Sequence, residues 1–261
     1  LSDHFSFGRL LRFTLPSIVT MVIASLYSVV DGLFVSNLVG DMALSAVNIA
    51  FPIAMIIGAI GFMLGTGGSA LVARTLGEGN KELADRYFSM IIYTIMFVCG
   101  LRAVITVLLV EPIRWAAGSS ELRIDDCISY GAVLLAGSVP FMLQTSFQNF
   151  FVVSERPMLG LVLSILSGIT IMVLDYLFIA VLGLGITGAG LATVMGYVVG
   201  GILPLFFFLK KRERALHLTK TRFYPRQLLL ACSNGSSELL SNISASVIGI
   251  LYNIQLMRII G

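Results

Sequence analysis

Charge is what the 261-residue sequence has least of: Asp, Glu, Lys and Arg together make up 12% of it, while 57% belongs to the apolar set. Soluble domains run nearer about 25% charged and about 45–50% apolar, so composition argues against a soluble enzyme wrapped in a polar shell. The formal net charge of +3 is carried by basic residues in the connecting stretches. No clustered basic face results, and a nucleic-acid binder is excluded. Cysteine is scarce as well. Cys99, Cys127 and Cys232 share no metal-ligand spacing and lie in or beside apolar stretches, where they read as small buried hydrophobes rather than disulfide partners. Histidine is limited to His4 and His217, both in polar flanks without a sequence neighbour that suggests a ligand or a proton relay. P-loop, H-E-x-x-H, C-x-x-C and nucleophile-elbow patterns are lacking, so the sequence points to no enzyme chemistry and no cofactor. Gly183, Gly185 and Gly188 match G-x-G-x-x-G, but helix-length apolar runs lie on both sides and the first downstream acid is Glu213. A tight hairpin is the reading that fits this context.

What the sequence has in abundance is long apolar runs. Seven occur, at 13–38, 45–72, 87–110, 128–153, 158–182, 186–209 and 228–257, each longer than the about 20 helical residues that cross about 30 Å of hydrocarbon. Of the 17 basic and 14 acidic residues, only Asp31, Arg102, Asp175 and Glu238 fall inside those runs. Lipid satisfies no backbone amide, and runs of this length without period-2 alternation select helices over barrel strands. The fold class expected is therefore an all-α, polytopic membrane bundle: a six-helix lobe plus a seventh helix.

Basic residues sort the connections into two sides. Arg9, Arg12, Arg74, Lys81, Arg86, Arg156, Lys210, Lys211, Arg212, Arg214, Lys220, Arg222 and Arg226 fall on the side of the amino terminus, against Arg114, Arg123 and Arg258 on the other. The positive-inside rule then puts the amino terminus in the cytoplasm of a cell-membrane protein, and no cleavable leader is evident. The polar stretch 210–227, with seven basic residues and the single acid Glu213, divides a lobe at 1–209 from a helix at 228–261. It reads as a topology anchor and linker, or as a contact for anionic lipid. The approaches to the first and seventh runs each carry a breaker, Pro16 and Gly235, and each run ends on two aliphatics and a glycine. This internal echo fits a second lobe that begins at the seventh run and is cut short.

Small-residue pairs at Gly61/Gly65 and Gly196/Gly200 let helices approach closely. Pro16, Pro52, Pro140 and Pro204 lie within or near the ends of runs, where proline frees a carbonyl and permits a bend. Trp115, Tyr87, Phe223 and Tyr224 sit where an interfacial aromatic belt would lie. The buried acids carry the most information, because a carboxylate at bilayer depth is costly and marks an ion or proton route. Asp31 and Asp175 each stand about seven residues short of the far end of their runs, and Thr193 about seven residues into the descending sixth. At about 1.5 Å per residue the three share a depth near 10 Å. If their helices face each other, they form an all-oxygen site for a proton or sodium; the competing reading pairs one acid with Arg102. Burial and mutual repulsion would keep one carboxyl close to its protonated form, so that proton or cation binding switches the local charge. Glu238 reads either as a cavity acid for a cationic substrate or as a helix-start acid. Gln144, Gln148 and Asn149 read either as cavity lining or as bridges between helices.

In combination, Leu15-Pro16 followed by YSVVDGLFVSNLVG, then LVARTLGEGNKELADR, VLDYLFI and GITGAGLATVMGY, resemble the multidrug and toxic compound extrusion (MATE) family over nearly the whole chain. The resemblance implies two six-helix lobes around a central cavity and export of cationic or amphipathic compounds in exchange for protons or sodium, by a monomer when full length. It also implies that Asp31, Asp175 and Thr193 form the cation-coupling site and that Pro16 is a hinge; Tyr27, Gln144, Gln148 and Glu238 are the residues expected to border the substrate cavity. A departure stands at Ile171, where many members carry asparagine four residues before the acid; one amide oxygen fewer favours protons over sodium. The second departure is the absent second lobe. A flippase for lipid-linked saccharide precursors and a non-transporting seven-helix protein are the alternatives.

Overall fold

The computed structural model describes residues 7–39, 41–116, 132–133, 136–210 and 216–260. Among them the chain forms seven α-helices and no strand: α1 (Phe7–Leu38), α2 (Asp41–Gly77), α3 (Lys81–Ala116), α4 (Ser138–Val153), α5 (Pro157–Asp175), α6 (Gly185–Leu209) and α7 (Pro225–Ile260). A π-helical segment, Tyr176–Val181, continues α5 directly. Each helix answers one apolar run. Among the described residues, five segments are long and apolar enough to cross a membrane: Thr14–Leu38, Gly58–Gly77, Lys81–Leu101, Pro157–Val181 and Gly185–Leu209. The described part of α4 covers 16 residues. Helix α7 covers 36 but carries Ser233, Asn234, Ser236, Ser237, Glu238, Ser241 and Asn242 in its first half. The side chains of Asp31, Arg102 and Trp115, together with His4 and Cys127, lie outside the described residues.

Two faces of each lipid-length helix differ in chemistry. On α1, Leu11, Leu15, Ile18, Val22, Leu26, Val29 and Leu33 are exposed at a helical spacing, while Pro16, Thr20 and Val35 are buried. On α5 the buried residues are Gly160, Ser164, Ser167, Gly168, Ile171 and Asp175, again one helical face. That face is small and polar rather than bulky. In lipid, where apolar burial gains little, close packing and interhelical hydrogen bonds take over.

The core is thickest at the end of the bundle where α3 begins and α4 and α6 finish, here termed the basic end. Phe88 meets Phe150 at 4.8 Å and Phe208 at 4.9 Å between ring centroids, and Phe147 stacks on Phe208 at 5.3 Å. Such pairs contribute roughly 0.5–1.5 kcal/mol each beyond burial. Among the described residues, a much smaller cluster, Val35, Ile179 and Ala189, lies toward the opposite end. Small residues set the contacts between helices. A Cβ on Gly61 would lie 2.6 Å from Met142 Cγ and one on Gly65 2.9 Å from Ser146 Cα, so this pair seats α4 on α2. On α6, Gly196 receives Ile171 of α5 and Gly200 receives Gln144 of α4. Gly67 and Gly235 bring the backbones of α2 and α7 together against Ala231 and Met63. Gly183 and Gly185 adopt φ of +63° and +58° in the turn before α6, a left-handed geometry that favours glycine. The hairpin reading of the G-x-G-x-x-G pattern is what the chain adopts.

Helix α1 runs through Pro16 without a break, and Thr20 Oγ1 donates to the Pro16 carbonyl at 2.8 Å. Between α6 and α7 the connection returns as an extended strap, residues 216–224, which lies along α3. Its Leu218 N–H donates to Phe208 O at 2.8 Å, and Thr219 N–H to Ser89 Oγ at 2.8 Å. Tyr224 packs edge-on against Tyr87, with centroids 5.4 Å apart.

Candidate functional site

Helices α1, α5 and α6 meet around the acid layer, and their register follows from three contacts. Tyr27 of α1 lies over Gly168 of α5, where a Cβ would be 2.8 Å from Tyr27 Cδ1. Ile171 of α5 lies over Gly196 of α6. Val35, Ile179 and Ala189 then join all three helices in one cluster. Asp31 stands four residues before Val35, Asp175 four before Ile179, and Thr193 four after Ala189 on a helix running the other way. Each is therefore one turn, about 6 Å, inward of the same apolar lid.

Asp175 is fully buried, at 0% exposure. Thr193 is 8% exposed and its Oγ1 donates to Ala189 O at 3.0 Å. That bond spends the hydroxyl proton on the helix and leaves the oxygen lone pairs to accept from a proton donor or face a cation. Ile171 fills the turn below Asp175 with hydrocarbon against Gly196. The π-helical segment begins at the residue after Asp175, and π-turns inside α-helices recur at functional positions. Nothing in the residue types at 176–181 signals it.

Beneath the acid layer a chain of hydrogen bonds ties three helices together. Ser167 Oγ donates to Gly196 O at 2.7 Å and lies 3.5 Å from Gln144 Nε2, and Gln148 Nε2 donates to Ser164 Oγ at 3.1 Å. Of the two readings open for Gln144 and Gln148, bridging between helices is the contact each makes. Ser164 and Ser167 were not singled out from sequence, although their spacing from Asp175 puts them on its helix face. Glu238 is half-buried, and Asn242 Nδ2 lies 2.8 Å from its carbonyl and 3.4 Å from its Oε1. Helix α7 starts at Pro225, so Glu238 is a mid-helix acid, and the helix-start reading is corrected. Tyr27 supports the acid layer from below. Pro16 lies ten or more residues nearer the basic end than either.

A second correction concerns His217. Its sequence neighbours suggest no partner, yet its Nδ1 lies 2.9 Å from Asp85 Oδ2, and its backbone N–H donates to Asp85 Oδ1 at 3.1 Å. Asp85 is 2% exposed. The contact spans 132 residues, beyond the reach of any local pattern.

The MatE family model matches residues 16–177. The chain belongs to the MatE family. Among curated MatE relatives, the multidrug export protein MepA of Staphylococcus haemolyticus is 24% identical over 214 residues, covering 79% of this chain and 46% of that protein. An FAD transporter of Shewanella oneidensis is 28% identical over 218 residues, again covering 79% of this chain and 46% of its own length. Among solved structures, the inward-facing conformation of a multidrug resistance MATE transporter superposes with a TM-score of 0.77 at 26% identity, over 89% of this chain and 55% of that one. The chain thus spans about half the length of the curated relatives it matches. The expected fold class, an all-helical multi-pass membrane protein, is the one these MatE neighbours share.

Proposed function

We propose that this chain is the coupling half of a cation-driven antiporter that exports cationic or amphipathic compounds, and that it performs no covalent chemistry. The observation that carries the reading is the shared depth of Asp31, Asp175 and Thr193 one turn below the Val35, Ile179 and Ala189 lid. A carboxylate at such depth costs about 2.5–3.5 kcal/mol or more, a cost that selection keeps where the group moves an ion. Protonation of Asp175 removes a charge from a dry layer, and its loss restores that charge. The equilibrium between two lobe arrangements shifts by as much as the two arrangements differ in proton affinity. The hydrocarbon of Ile171 on the side where an amide oxygen would stand supports protons over sodium as the driving ion. Pro16 acts as the bend in α1, Tyr27 as the floor under the acids, and Glu238 as the acid met by a cationic substrate. Residues 1–209 act as one lobe, 210–227 as the linker and 228–261 as the first helix of a second lobe, with the amino terminus cytoplasmic.

The test is dye efflux from cells or vesicles under imposed gradients, with the protein in its full natural length. Asp175→Asn is expected to abolish gradient-driven efflux while membrane insertion and fold persist. Efflux that continues at the parental rate would end the proposal. Imposing proton and sodium gradients separately identifies the ion.

A further inference from the structure

The strap leaves a cleft of about 480 Å³ against an exposed side of α3. Its apolar walls are Met90, Tyr93, Thr94 and Phe97 from α3, with Phe223 from the strap and Leu228 from the start of α7. Phe97 and Phe223 are among the most exposed aromatics described, at 71% and 68%. Arg222, also exposed, borders the same cleft. The strap is held on either side of this opening: Thr219 N–H donates to Ser89 Oγ at 2.8 Å, and Tyr224 N–H approaches Met90 Sδ at 3.2 Å. Between these tethers the segment carries Lys220 and Arg222 and no acid. The cleft therefore has a cationic rim at the basic end and a hydrocarbon floor that runs from Met90 to Phe97, about 10 Å along the helix.

We propose that this cleft binds one anionic glycerophospholipid of the cytoplasmic leaflet, its phosphate at Arg222 and an acyl chain along Met90, Thr94 and Phe97. Charge complementarity selects this occupant. The stretch 210–227 holds seven basic residues and one acid, and with the basic end cytoplasmic it faces the leaflet that carries the anionic lipids. A zwitterionic lipid satisfies the floor but not the rim. A soluble anion satisfies the rim but not the floor. The inference rests on the orientation proposed above and not on the coupling role of Asp175.

Native mass spectrometry of the purified full-length protein, supplied with phosphatidylglycerol and phosphatidylcholine of identical chains, separates the possibilities. Phosphatidylglycerol should be retained about fivefold more than phosphatidylcholine, the preference expected for one basic contact at a membrane surface. Arg222→Gln should erase that preference, whereas Lys210→Gln, which removes the same charge from outside the cleft, should leave it intact. Equal retention of both lipids, or equal loss in both variants, would overturn the proposal in favour of diffuse attraction. A photoreactive side chain at position 97 provides an independent reading. Its cross-links should carry the mass of a phospholipid, and cross-links to polypeptide would assign the cleft to a protein partner and refute the lipid. Neither readout depends on efflux, so a failure here is distinct from a failure of the antiporter reading.

Discussion

Asp85 shows how much one side chain can organise. It is 2% exposed, takes the His217 backbone N–H on one oxygen and faces His217 Nδ1 across 2.9 Å on the other, while its own carbonyl accepts Ser89 Oγ at 2.7 Å. Asp85→Ala takes the partner from that part-buried N–H, which costs about 1 kcal/mol. A lower melting temperature in detergent and faster trypsin cleavage at Lys220 or Arg222 are expected; unchanged cleavage would mean the strap is held by other contacts. Ile171 offers a complementary test. Ile171→Asn places an amide one turn below Asp175, and under the proposed proton coupling efflux should then acquire a dependence on sodium. An unaltered ion dependence would argue against an oxygen site at this depth. The acids were singled out in the sequence because charge inside a long apolar run is costly, with pairing to Arg102 as the competing reading. The His217 contact was not, since its two ends are brought together only by the fold.

At the scale of elements, glycine positions decide which helices touch. Gly67 of α2 lies against the Ala231 carbonyl of α7, so Gly67→Ala forces two backbones apart, with a penalty of about 1–3 kcal/mol or more. Gly100→Ala meets no atom of the described residues within 4 Å of the new methyl and gains about 1 kcal/mol of helix propensity. Loss of monodisperse protein for the first and retained or raised melting temperature for the second are the expected pair of results. Equal behaviour would show that the α2 and α7 seam is looser than its geometry. The existence of the helices was readable because lipid length and charge exclusion leave few alternatives. Their ends were less so: α1 begins at Phe7 and α7 at Pro225, ahead of the apolar runs, because backbone hydrogen bonding continues into polar residues and proline suits a first helical turn. The π-helical segment at Tyr176–Val181 carries no glycine or proline to announce it. It packs against α1 and α6.

At the scale of the molecule, the two ends are built to different standards. Among the described residues, the basic end is filled by Phe88, Phe147, Phe150, Phe151 and Phe208 together with Leu216 of the strap, and the opposite end holds Val35, Ile179 and Ala189 with Phe34 and Val39 packed against them. Residues 216–224 of the basic stretch carry no helix or strand. The long exposed apolar stripe of α1 from Leu11 to Leu33 had no counterpart in the sequence reading, because an apolar run does not say which of its faces a neighbour will cover. The thinner layer has a consequence for traffic. Among the described residues, Val35, Ile179 and Ala189, with Phe34 and Val39 against them, are what separates Asp175 from the face opposite the strap, so an acid pulse on that face is expected to reach the carboxyl sooner than a pulse of equal size on the strap side.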